Sequence, residues 1–430
     1  MPSAIPNVAA WVGLDWADQE HQGRLQAVDS SQVEPFVLPQ RPEALQEWVR
    51  QVRTRFPFGR IAIAVEQSRG PLVYALMGYD FLLLYPVPPR TLADYRQAFF
   101  SSGAKSDPKD ADLLLELVRC HADRLRLWQP DDAPTRQIQM LGEHRRTLVE
   151  DRTRLTNRLT ALLKGSFPQA LEWAGELSTP RACEFLRRWP SLEALQHARR
   201  SQVRHFYLDH GWKDIASLEV HLDQIRQAQP LTSDAAVLEV SARMVKLLAQ
   251  QLNLLASALK EMDEAIATLF AQHPDRSLWD SFPGAGPVLA PRLLAALGAD
   301  RKRYENASQV QQCSGIAPVT ARSGQQHWVH WRWACPKFLR QTFHEFAAHS
   351  RRWSPWAQAY YQQQIEKGAQ HHAAVRALAF KWIRILYRCW KDHTPYDEQR
   401  YLQALRRRGS PLLKRLQAQA ALVAAPGGTM

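Results

Sequence analysis

A long apolar seam in the middle of the chain limits the possible folds more than any other feature. Its residues follow one another at alternating steps of three and four, without a polar interruption: Val245, Leu248, Leu252, Leu255, Leu259, Met262, Ile266 and Leu269. This repeat predicts one long helix that packs lengthwise against other helices, as a coiled coil or as an antiparallel hairpin. The region around it is therefore expected to be helical, and a coiled coil would be the natural dimerisation element.

A second heptad seam precedes the first and carries two arginines. Its positions alternate in the same way: Ile138, Leu141, Arg145, Leu148, Arg152, Leu155, Leu159 and Leu162. Charged side chains are costly inside a dry helical interface. Arg145 and Arg152 therefore either contact nucleic acid or extend to the rim of the interface. The basic residues around them favour contact with nucleic acid.

The N-terminal region has a different pattern, in which short apolar strands alternate with helices. Strands are predicted at Val8–Leu14, Arg60–Val65 and Phe81–Pro86, with helices near 41–55 and 71–78. This alternation is typical of an α/β domain, which we expect over residues 8–128.

Length and charge indicate several domains and a polyanionic partner. The chain has 430 residues, which exceeds one ordinary domain. We expect a helical coiled-coil insert over 129–275, a mostly α-helical domain over 276–403 and a basic, flexible tail over 404–430. Lys and Arg number 55 against 42 Asp and Glu, a net charge of +13. Such an excess generally neutralises phosphates, so nucleic acid is the expected partner.

Cysteine spacing and hydropathy exclude several classes of protein. The five cysteines are an odd number without a Cys-x-x-Cys pair, which argues against a disulfide framework and a structural zinc site. No apolar run approaches the ~18 residues of a membrane-spanning helix, and the N-terminus lacks the pattern of a signal peptide. A cytoplasmic, nucleoid-associated protein with no membrane partner is expected.

Four carboxylates occupy positions from which they could converge. Asp15 and Glu66 each follow a predicted strand. Asp107 and Asp110 lie three residues apart at the start of a predicted helix over 109–119, so they share a helix face. Four converging carboxylates require cations, and hard oxygen ligands select Mg²⁺ or Mn²⁺, which can clamp a phosphodiester. The alternative is two ordinary strand-end acids and a capped helix.

These acids and several later motifs, in order, resemble the insertion-sequence-110 family of transposases. Similarity to the family's DEDD N-terminal domain lies in Asp15, Val65-Glu66-Gln-Ser-Arg-Gly70 and Lys105-Ser-Asp107-Pro-Lys-Asp110-Ala111. Similarity to its C-terminal domain lies in Phe282-Pro-Gly-Ala-Gly-Pro287, Cys313-Ser-Gly-Ile-Ala-Pro318 with Ser323-Gly324, and Tyr360-Tyr361 with Glu366-Lys-Gly368. The resemblance covers about 8–128 and 276–400.

The resemblance implies a bridge-RNA-guided recombinase that acts on donor and target DNA ends. It implies an RNase H-like (RuvC-like) N-terminal domain in which Asp15, Glu66, Asp107 and Asp110 bind Mg²⁺. Ser323 matches the family's nucleophile, which forms a phosphoserine link to DNA, and Ser314 is a second candidate. A site split between distant domains and a two-ended reaction imply a homo-oligomer, a dimer or a tetramer.

Further residues could contact nucleic acid around this serine. Gly284 and Gly286 open a helix in a turn whose amides could face a phosphate, and Gly324 would let the backbone approach one closely. Arg332 could supply charge, because this chain lacks the Gly- and basic-rich stretch that follows the serine in the family. The tryptophans Trp328, Trp331 and Trp333 suit either base stacking or core packing.

Two other functions are compatible with the same residues. The first is a metal-dependent Holliday-junction or structure-specific nuclease that uses water and forms no covalent link. The second is a nucleic-acid-binding scaffold with structural carboxylates. Dependence on Ser323 separates the recombinase from the nuclease, and Mg²⁺-dependent strand cleavage separates both from the scaffold.

Overall fold

A computed structural model describes residues 7–66, 69–99, 107–413 and 416. The chain divides into two compact units, Met1–Pro130 and Asp131–Met430. The first unit is a mixed α/β structure, and the second is mostly helical with one β-hairpin. Among the described residues, no helix is both long and apolar enough to cross a membrane.

A five-stranded sheet organises the first unit. Its strands are β1 (Val8–Asp15), β2 (Glu20–Ala27), β3 (Glu34–Pro39), β4 (Arg60–Val65) and β5 (Leu82–Pro86). They lie in the order β3-β2-β1-β4-β5, with β1, β2 and β3 antiparallel and β4 and β5 parallel to β1. The three predicted strands are present as β1, β4 and β5, whereas β2 and β3 were not predicted.

Helices cover both faces of this sheet. They are α1 (Pro42–Arg55), α2 (Pro71–Leu76), α3 (Pro89–Phe99) and α4 (Asp107–His121). One apolar core joins α1 and α2 to one face, and a second core joins α3 and α4 to the other. The two-sided packing explains why β4, Arg-Ile-Ala-Ile-Ala-Val, is apolar at nearly every position.

The helix α4 crosses β1 at very close range because β1 has a glycine at the crossing point. A Cβ on Gly13 would lie 2.1 Å from the carbonyl oxygen of Ala111 and 2.3 Å from the amide nitrogen of Leu115. Only glycine permits this approach. The crossing places the first turn of α4 directly beside the sheet.

The direction of α4 follows from its polar contacts with β2. Arg24 is paired with Asp112 at 2.7 Å, and Arg119 donates a hydrogen bond to Gln26 at 3.2 Å. Since Arg24 lies opposite Gly13 and Gln26 opposite Trp11, α4 runs antiparallel to β1. The N-terminus of α4 therefore lies at the carboxyl end of β1.

The second unit begins with two long helices joined by shorter ones. These are α5 (Ala133–Ser166), α6 (Ala170–Trp173), α7 (Pro180–Arg188), α8 (Leu192–His197), α9 (Arg200–Asp209), α10 (Ile215–Gln227) and α11 (Ala235–Ala271). The Asp132 and Asp234 carboxylates cap the N-termini of α5 and α11. The predicted seams lie on these two helices.

The two long helices pack against each other in antiparallel orientation. The Thr135 hydroxyl lies 3.0 Å from His273 Nε2 beyond the end of α11, and Arg145 contacts Asp263 further along. The seam of α11 is buried within this chain at Val245, Leu248, Leu252, Leu259 and Ile266. The expectation that this seam serves dimerisation is therefore wrong for these residues, because their apolar surface is already covered.

The remainder of the second unit contains α12 (Arg276–Asp280), α13 (Gly286–Leu297), α14 (Ala307–Cys313), α15 (Lys337–Ser350), α16 (Pro355–Glu366), α17 (His371–Lys391) and α18 (Glu398–Arg407). A hairpin of β6 (Val319–Ser323) and β7 (Gln326–His330) lies between α14 and α15. Four tryptophans without exposed surface, Trp279, Trp356, Trp382 and Trp390, lie in the core of these helices.

The start of the predicted flexible tail is packed. Leu405 in α18 and Leu412 beyond it are buried in the core of the α12–α18 region. Residues 414, 415 and 417–430 of that tail lie outside the described residues. The described part of this segment is therefore packed through Leu412 by its apolar side chains.

Candidate active site and nucleic-acid interface

Two of the predicted acids lie side by side at one edge of the sheet. Asp15 is the last residue of β1 and is only 3% exposed, and Glu66 directly follows β4. Leu14 is opposite Val65 in the parallel register of these strands, so Asp15 and Glu66 are neighbours. Side chains alternate along a strand, so Asp15 is on the same face as Gly13, which α4 covers.

Asp110 reaches the same edge from the first turn of α4 and is completely buried. Arg96 of α3 donates two hydrogen bonds to its Oδ1, from Nε at 2.8 Å and from Nη2 at 2.5 Å. The other oxygen, Oδ2, is buried and has no hydrogen-bond partner in the part of the chain that the structure describes. The side chain of Asp107, one turn earlier, lies outside the described residues.

The donor chemistry of this edge fits a divalent cation, but the described acids are not gathered around one point. The orphaned Asp110 Oδ2 is an anionic oxygen of the kind that Mg²⁺ and Mn²⁺ bind. However, no three His, Cys, Asp or Glu side chains within the described ranges form a group that could hold a metal ion. The Arg96 guanidinium instead compensates the charge of Asp110. Arg96 has no sequence motif around it and was not predicted.

Ser323 lies at the tip of the hairpin formed by β6 and β7. It pairs with Gln326 across a two-residue turn of Gly324 and Gln325. Gly324 has φ +55°, a left-handed conformation that suits glycine in such turns. Ser323 is exposed, whereas Ser314 is fully buried and donates from Oγ to the carbonyl oxygen of Gln311. Ser323 is therefore the accessible hydroxyl of the two candidates.

Polar contacts anchor the base of this hairpin. Arg332 Nε donates to the carbonyl oxygen of Ala317 at 3.4 Å, and Arg340 of α15 donates to the carbonyl oxygens of Arg332 and Trp333. An isolated two-stranded hairpin is only marginally stable, so these contacts fix its position. The tip extends from this base with every residue of β7 exposed.

The hairpin also carries tryptophans that are not core residues. Trp333 is 82% exposed and Trp328 is 43% exposed, while Trp331 is partly buried. Exposed aromatic rings next to basic side chains are typical of surfaces on which bases stack. Of the two alternatives for these tryptophans, core packing is excluded for Trp328 and Trp333.

The seam arginines of α5 lie in different surroundings. Arg145 forms a two-pronged ion pair with Asp263 of α11, with N–O distances of 2.5 and 3.0 Å. This internal partner satisfies its charge without nucleic acid. Arg145 and Arg152 both line a cavity of about 800 Å³ between α5, α7, α11, α13 and α15. Arg152 is half-buried and forms no ion pair among the described side chains.

The glycine turn before α13 is shaped by packing on one side and is open on the other. Gly284 has φ +75°, and a Cβ there would lie 2.6 Å from the Trp353 ring. Its carbonyl oxygen accepts a hydrogen bond from His349 Nδ1 at 2.7 Å. Gly286 has φ +53° with open space around it. Gly284 is thus required by the fold, while Gly286 leaves room for a ligand.

Two family models match most of the segments just described. A model of DEDD transposases of IS110, described as "Transposase", matches residues 12–168. A second, described as "Transposase IS116/IS110/IS902 family", matches residues 276–362. The first match contains the four acids, and the second contains the glycine turn and the Ser323 hairpin.

Similar proteins cover nearly the whole chain. The mini-circle putative transposase for IS117 of Streptomyces coelicolor is 27% identical over 406 residues, which is 92% of this chain and 97% of that protein. The IS900 uncharacterized 42 kDa protein of Mycobacterium paratuberculosis is 26% identical, covering 90% of this chain and 96% of its own. The IS116 uncharacterized 44.8 kDa protein of Streptomyces clavuligerus is 27% identical, covering 89% and 94%.

Proposed function

This chain belongs to the insertion sequence 110 family of transposases, and on that basis we propose that it cuts and exchanges DNA strands under the guidance of a bridge RNA, with Ser323 as a covalent nucleophile. The observation that carries the proposal is the position of Ser323. It is an exposed hydroxyl at the tip of an anchored hairpin, inside the segment that matches the family's transposase model.

The covalent step exchanges one phosphodiester for another. Ser323 Oγ attacks the phosphorus atom, an Oγ–phosphorus bond forms, and the bond from phosphorus to one sugar oxygen breaks. That oxygen leaves as a hydroxyl and takes up the proton that Oγ gives up. Strand exchange is the same step in reverse with a sugar hydroxyl from another DNA end. A serine hydroxyl is a weak nucleophile at neutral pH, so the phosphate has to be polarised or the proton removed.

We propose that Asp15, Glu66, Asp107 and Asp110 hold Mg²⁺ or Mn²⁺ at the edge of an RNase H-like sheet. The sheet order β3-β2-β1-β4-β5 and the α4 crossing support this, because they bring Asp15, Glu66 and the first turn of α4 to one edge. When bound, the cation would supply Lewis-acid stabilisation of charge on the phosphate oxygens. Arg96 contacts only Oδ1 of Asp110, so Oδ2 is the oxygen of Asp110 that could bind the cation.

We also propose a homo-oligomer, a dimer or a tetramer, assembled through the outer face of α11. Residues at seven-residue spacing on that face, Val240, Leu247 and Leu254, are exposed. They form a second apolar stripe, distinct from the seam that packs inside the chain. A stripe with this repeat suits pairing with another long helix.

A metal-dependent nuclease without a covalent step is the second candidate function. The buried, unpartnered Asp110 Oδ2 favours it, because a cation bound there could activate water in place of a serine. Such an enzyme would cleave DNA with or without the Ser323 hydroxyl. The two functions therefore differ in their dependence on one oxygen atom.

The test compares two hairpin variants in a recombination assay. The purified protein, with the RNA that co-purifies, is given donor and target plasmids. Ser323→Ala should abolish strand exchange, whereas Thr320→Ala, an exposed hydroxyl on the same hairpin, should retain it. Wild-type exchange by Ser323→Ala would contradict the proposal, and cleavage without exchange would support the nuclease.

A further inference from the structure

Just after the hairpin, the ring of Trp331 lies close to two arginines from different helices. Arg376 of α17 has its guanidinium carbon 3.5 Å from the centroid of the Trp331 ring, and Arg340 of α15 has its own at 5.0 Å. We call Arg340 and Arg376 the arginine pair. Stacking on the indole orients both guanidinium groups. Arg340 Nη2 already donates to the carbonyl oxygens of Arg332 and Trp333, so Arg376 is the arginine whose N–H groups remain for a ligand.

The arginine pair has no acidic partner among the described residues. By contrast, Arg292, Arg301 and Arg303 of the same unit each contact a carboxylate. Three buried N–H groups at the cluster, Trp331 Nε1, Arg340 Nε and Arg376 Nε, also have no acceptor within the described ranges. The cluster therefore carries positive charge that no carboxylate of the described residues compensates.

The neighbouring groups do not neutralise this charge. Burial lowers the pKa of the Arg376 guanidinium, and the charge of Arg340 lowers it further. Burial likewise lowers the pKa of His344, so this ring is uncharged near neutral pH and adds no further positive charge. Glu345, the acid of α15, is already engaged by Arg292 at 2.5 Å and Gln341 at 2.6 Å. An external anion is what the cluster lacks.

The exposed rings beside the cluster indicate which anion fits. The Trp333 ring centroid lies 6.2 Å from that of Trp331, and Trp333 is largely exposed. A phosphate site next to an exposed indole suits a nucleotide strand whose bases are unpaired, since a duplex keeps its bases stacked on each other. A carboxylate from another protein would pair with the arginines but would make no stacking contact with the Trp333 ring.

The hairpin links this cluster to Ser323. Trp331 follows Gln326, the partner of Ser323, by five positions, which is about 17 Å at most along an extended strand. At a rise of about 3.4 Å per nucleotide, this corresponds to no more than about five nucleotides of one strand. The cluster can therefore hold the backbone near the attacked phosphate without contacting that phosphate itself.

We infer that the arginine pair, with Trp331 and Trp333, binds the backbone and an unpaired base of the DNA strand that flanks the phosphate attacked by Ser323. The inference rests on the proposed function. Arg340 also positions the hairpin by donating to the carbonyl oxygens of Arg332 and Trp333. A change at Arg376 therefore tests nucleic-acid binding with less disturbance of the hairpin than a change at Arg340.

The test measures binding of fluorescein-labelled oligothymidylate to the full chain by fluorescence anisotropy over a series of salt concentrations. Each lost phosphate contact should lower the salt slope by about 0.7, which is a roughly fivefold loss of affinity at about 0.1 M salt. Arg376→Gln should show this loss. The double variant that combines Arg340→Gln and Arg376→Gln should show about twice the loss in the logarithm of the affinity. Trp333→Ala should weaken binding further, and Trp333→Phe should restore most of it.

The matched control is Arg384→Gln, which removes the same charge from an exposed position two turns further along α17. It should bind oligothymidylate like the wild type. An equal loss in Arg384→Gln, or an unchanged slope in Arg376→Gln, would overturn the inference. An equal loss on a duplex of the same length would overturn the unpaired-strand assignment. Binding is measured without strand exchange. The binding result can therefore be interpreted even if Ser323 proves not to be the nucleophile.

Discussion

At the sheet edge of the first unit, Asp110 has no exposed surface and Asp15 is nearly buried, whereas Ser323 in the second unit lies on an exposed hairpin tip. The acids are positioned by packing, since α4 can approach β1 only at Gly13. The serine is positioned by a two-residue turn and by contacts at the hairpin base. Changes at the acids should therefore alter both folding and chemistry, while changes at the serine should alter chemistry alone.

The largest effect is expected from removing an acid of the sheet edge. Asp15→Ala should lower strand cleavage by at least about 1000-fold, because metal-assisted stabilisation of the transition state is worth several kcal/mol. DNA and RNA binding should persist. The measurement is cleavage of labelled donor DNA in Mg²⁺, with binding followed separately. If Asp15→Ala recombines at the wild-type rate, the carboxylates are structural.

The ion pair between Arg96 and Asp110 tests how far the buried acids depend on a cation. Arg96→Ala leaves a buried charge without its partner, which should lower the free energy of unfolding of the first unit by about 3–5 kcal/mol. Adding Mn²⁺ should restore part of this loss, and EDTA should remove the restoration. Denaturant unfolding measures both effects.

The control for that experiment is Arg90→Ala on the same helix. Arg90 is exposed and its contact with Asp94 is worth no more than about 1 kcal/mol. Mn²⁺ should have no specific effect on this variant. A loss in Arg96→Ala that Mn²⁺ leaves unchanged would mean that the edge does not bind the cation.

The two faces of α11 provide a similar contrast between packing and assembly. Leu252 has no exposed surface, so Leu252→Lys buries an unpaired charge and should cost several kcal/mol of folding stability. Leu254 is 71% exposed, so Leu254→Lys should change stability by no more than about 0.5 kcal/mol. It should nevertheless reduce the mass measured by light scattering. An unchanged mass would place the self-association surface elsewhere.

The smallest effect is expected on the α5 surface. Arg152→Glu should reduce the salt slope of nucleic-acid binding by about 0.7–0.9 per lost phosphate contact. Exchanging Arg145 and Asp263 for one another should change the slope less, because Arg145 is already paired internally. If the wild type and Arg152→Glu show equal salt slopes, this face of α5 does not contact nucleic acid and serves only in packing.

Much of the first unit could be predicted because its signals are local. The apolar runs of β1, β4 and β5 and the start of α4 at Asp107-Pro108 are visible in the sequence. The strand β2, Glu-His-Gln-Gly-Arg-Leu-Gln-Ala, was missed because its polar residues do not form an apolar run. Its pairing with β1 comes from the tertiary structure.

The second unit and the site details depend more on contacts between distant residues. The heptad spacing predicted the long helices but left open whether the α11 seam packs in a coiled coil between chains or in an antiparallel hairpin, which is the arrangement that α5 and α11 form within one chain. The hairpin at Ser323 was not predicted because its flanking residues are polar, although Gly324 suits a tight turn. Arg96 with Asp110, and Arg376 with Trp331, meet only through tertiary packing, so no local pattern marks them.

The most direct test of the covalent mechanism is to trap the protein on donor DNA and locate the attached nucleotide. After nuclease and trypsin digestion, Ser323 lies in a peptide from Ser323 to Arg332, whereas Ser314 lies in one from Tyr304 to Arg322. Mass spectrometry should find the nucleotide adduct on the Ser323 peptide of the wild type and on no peptide of Ser323→Ala. An adduct on the Ser314 peptide or on Tyr360, or cleavage without any adduct, would contradict the account.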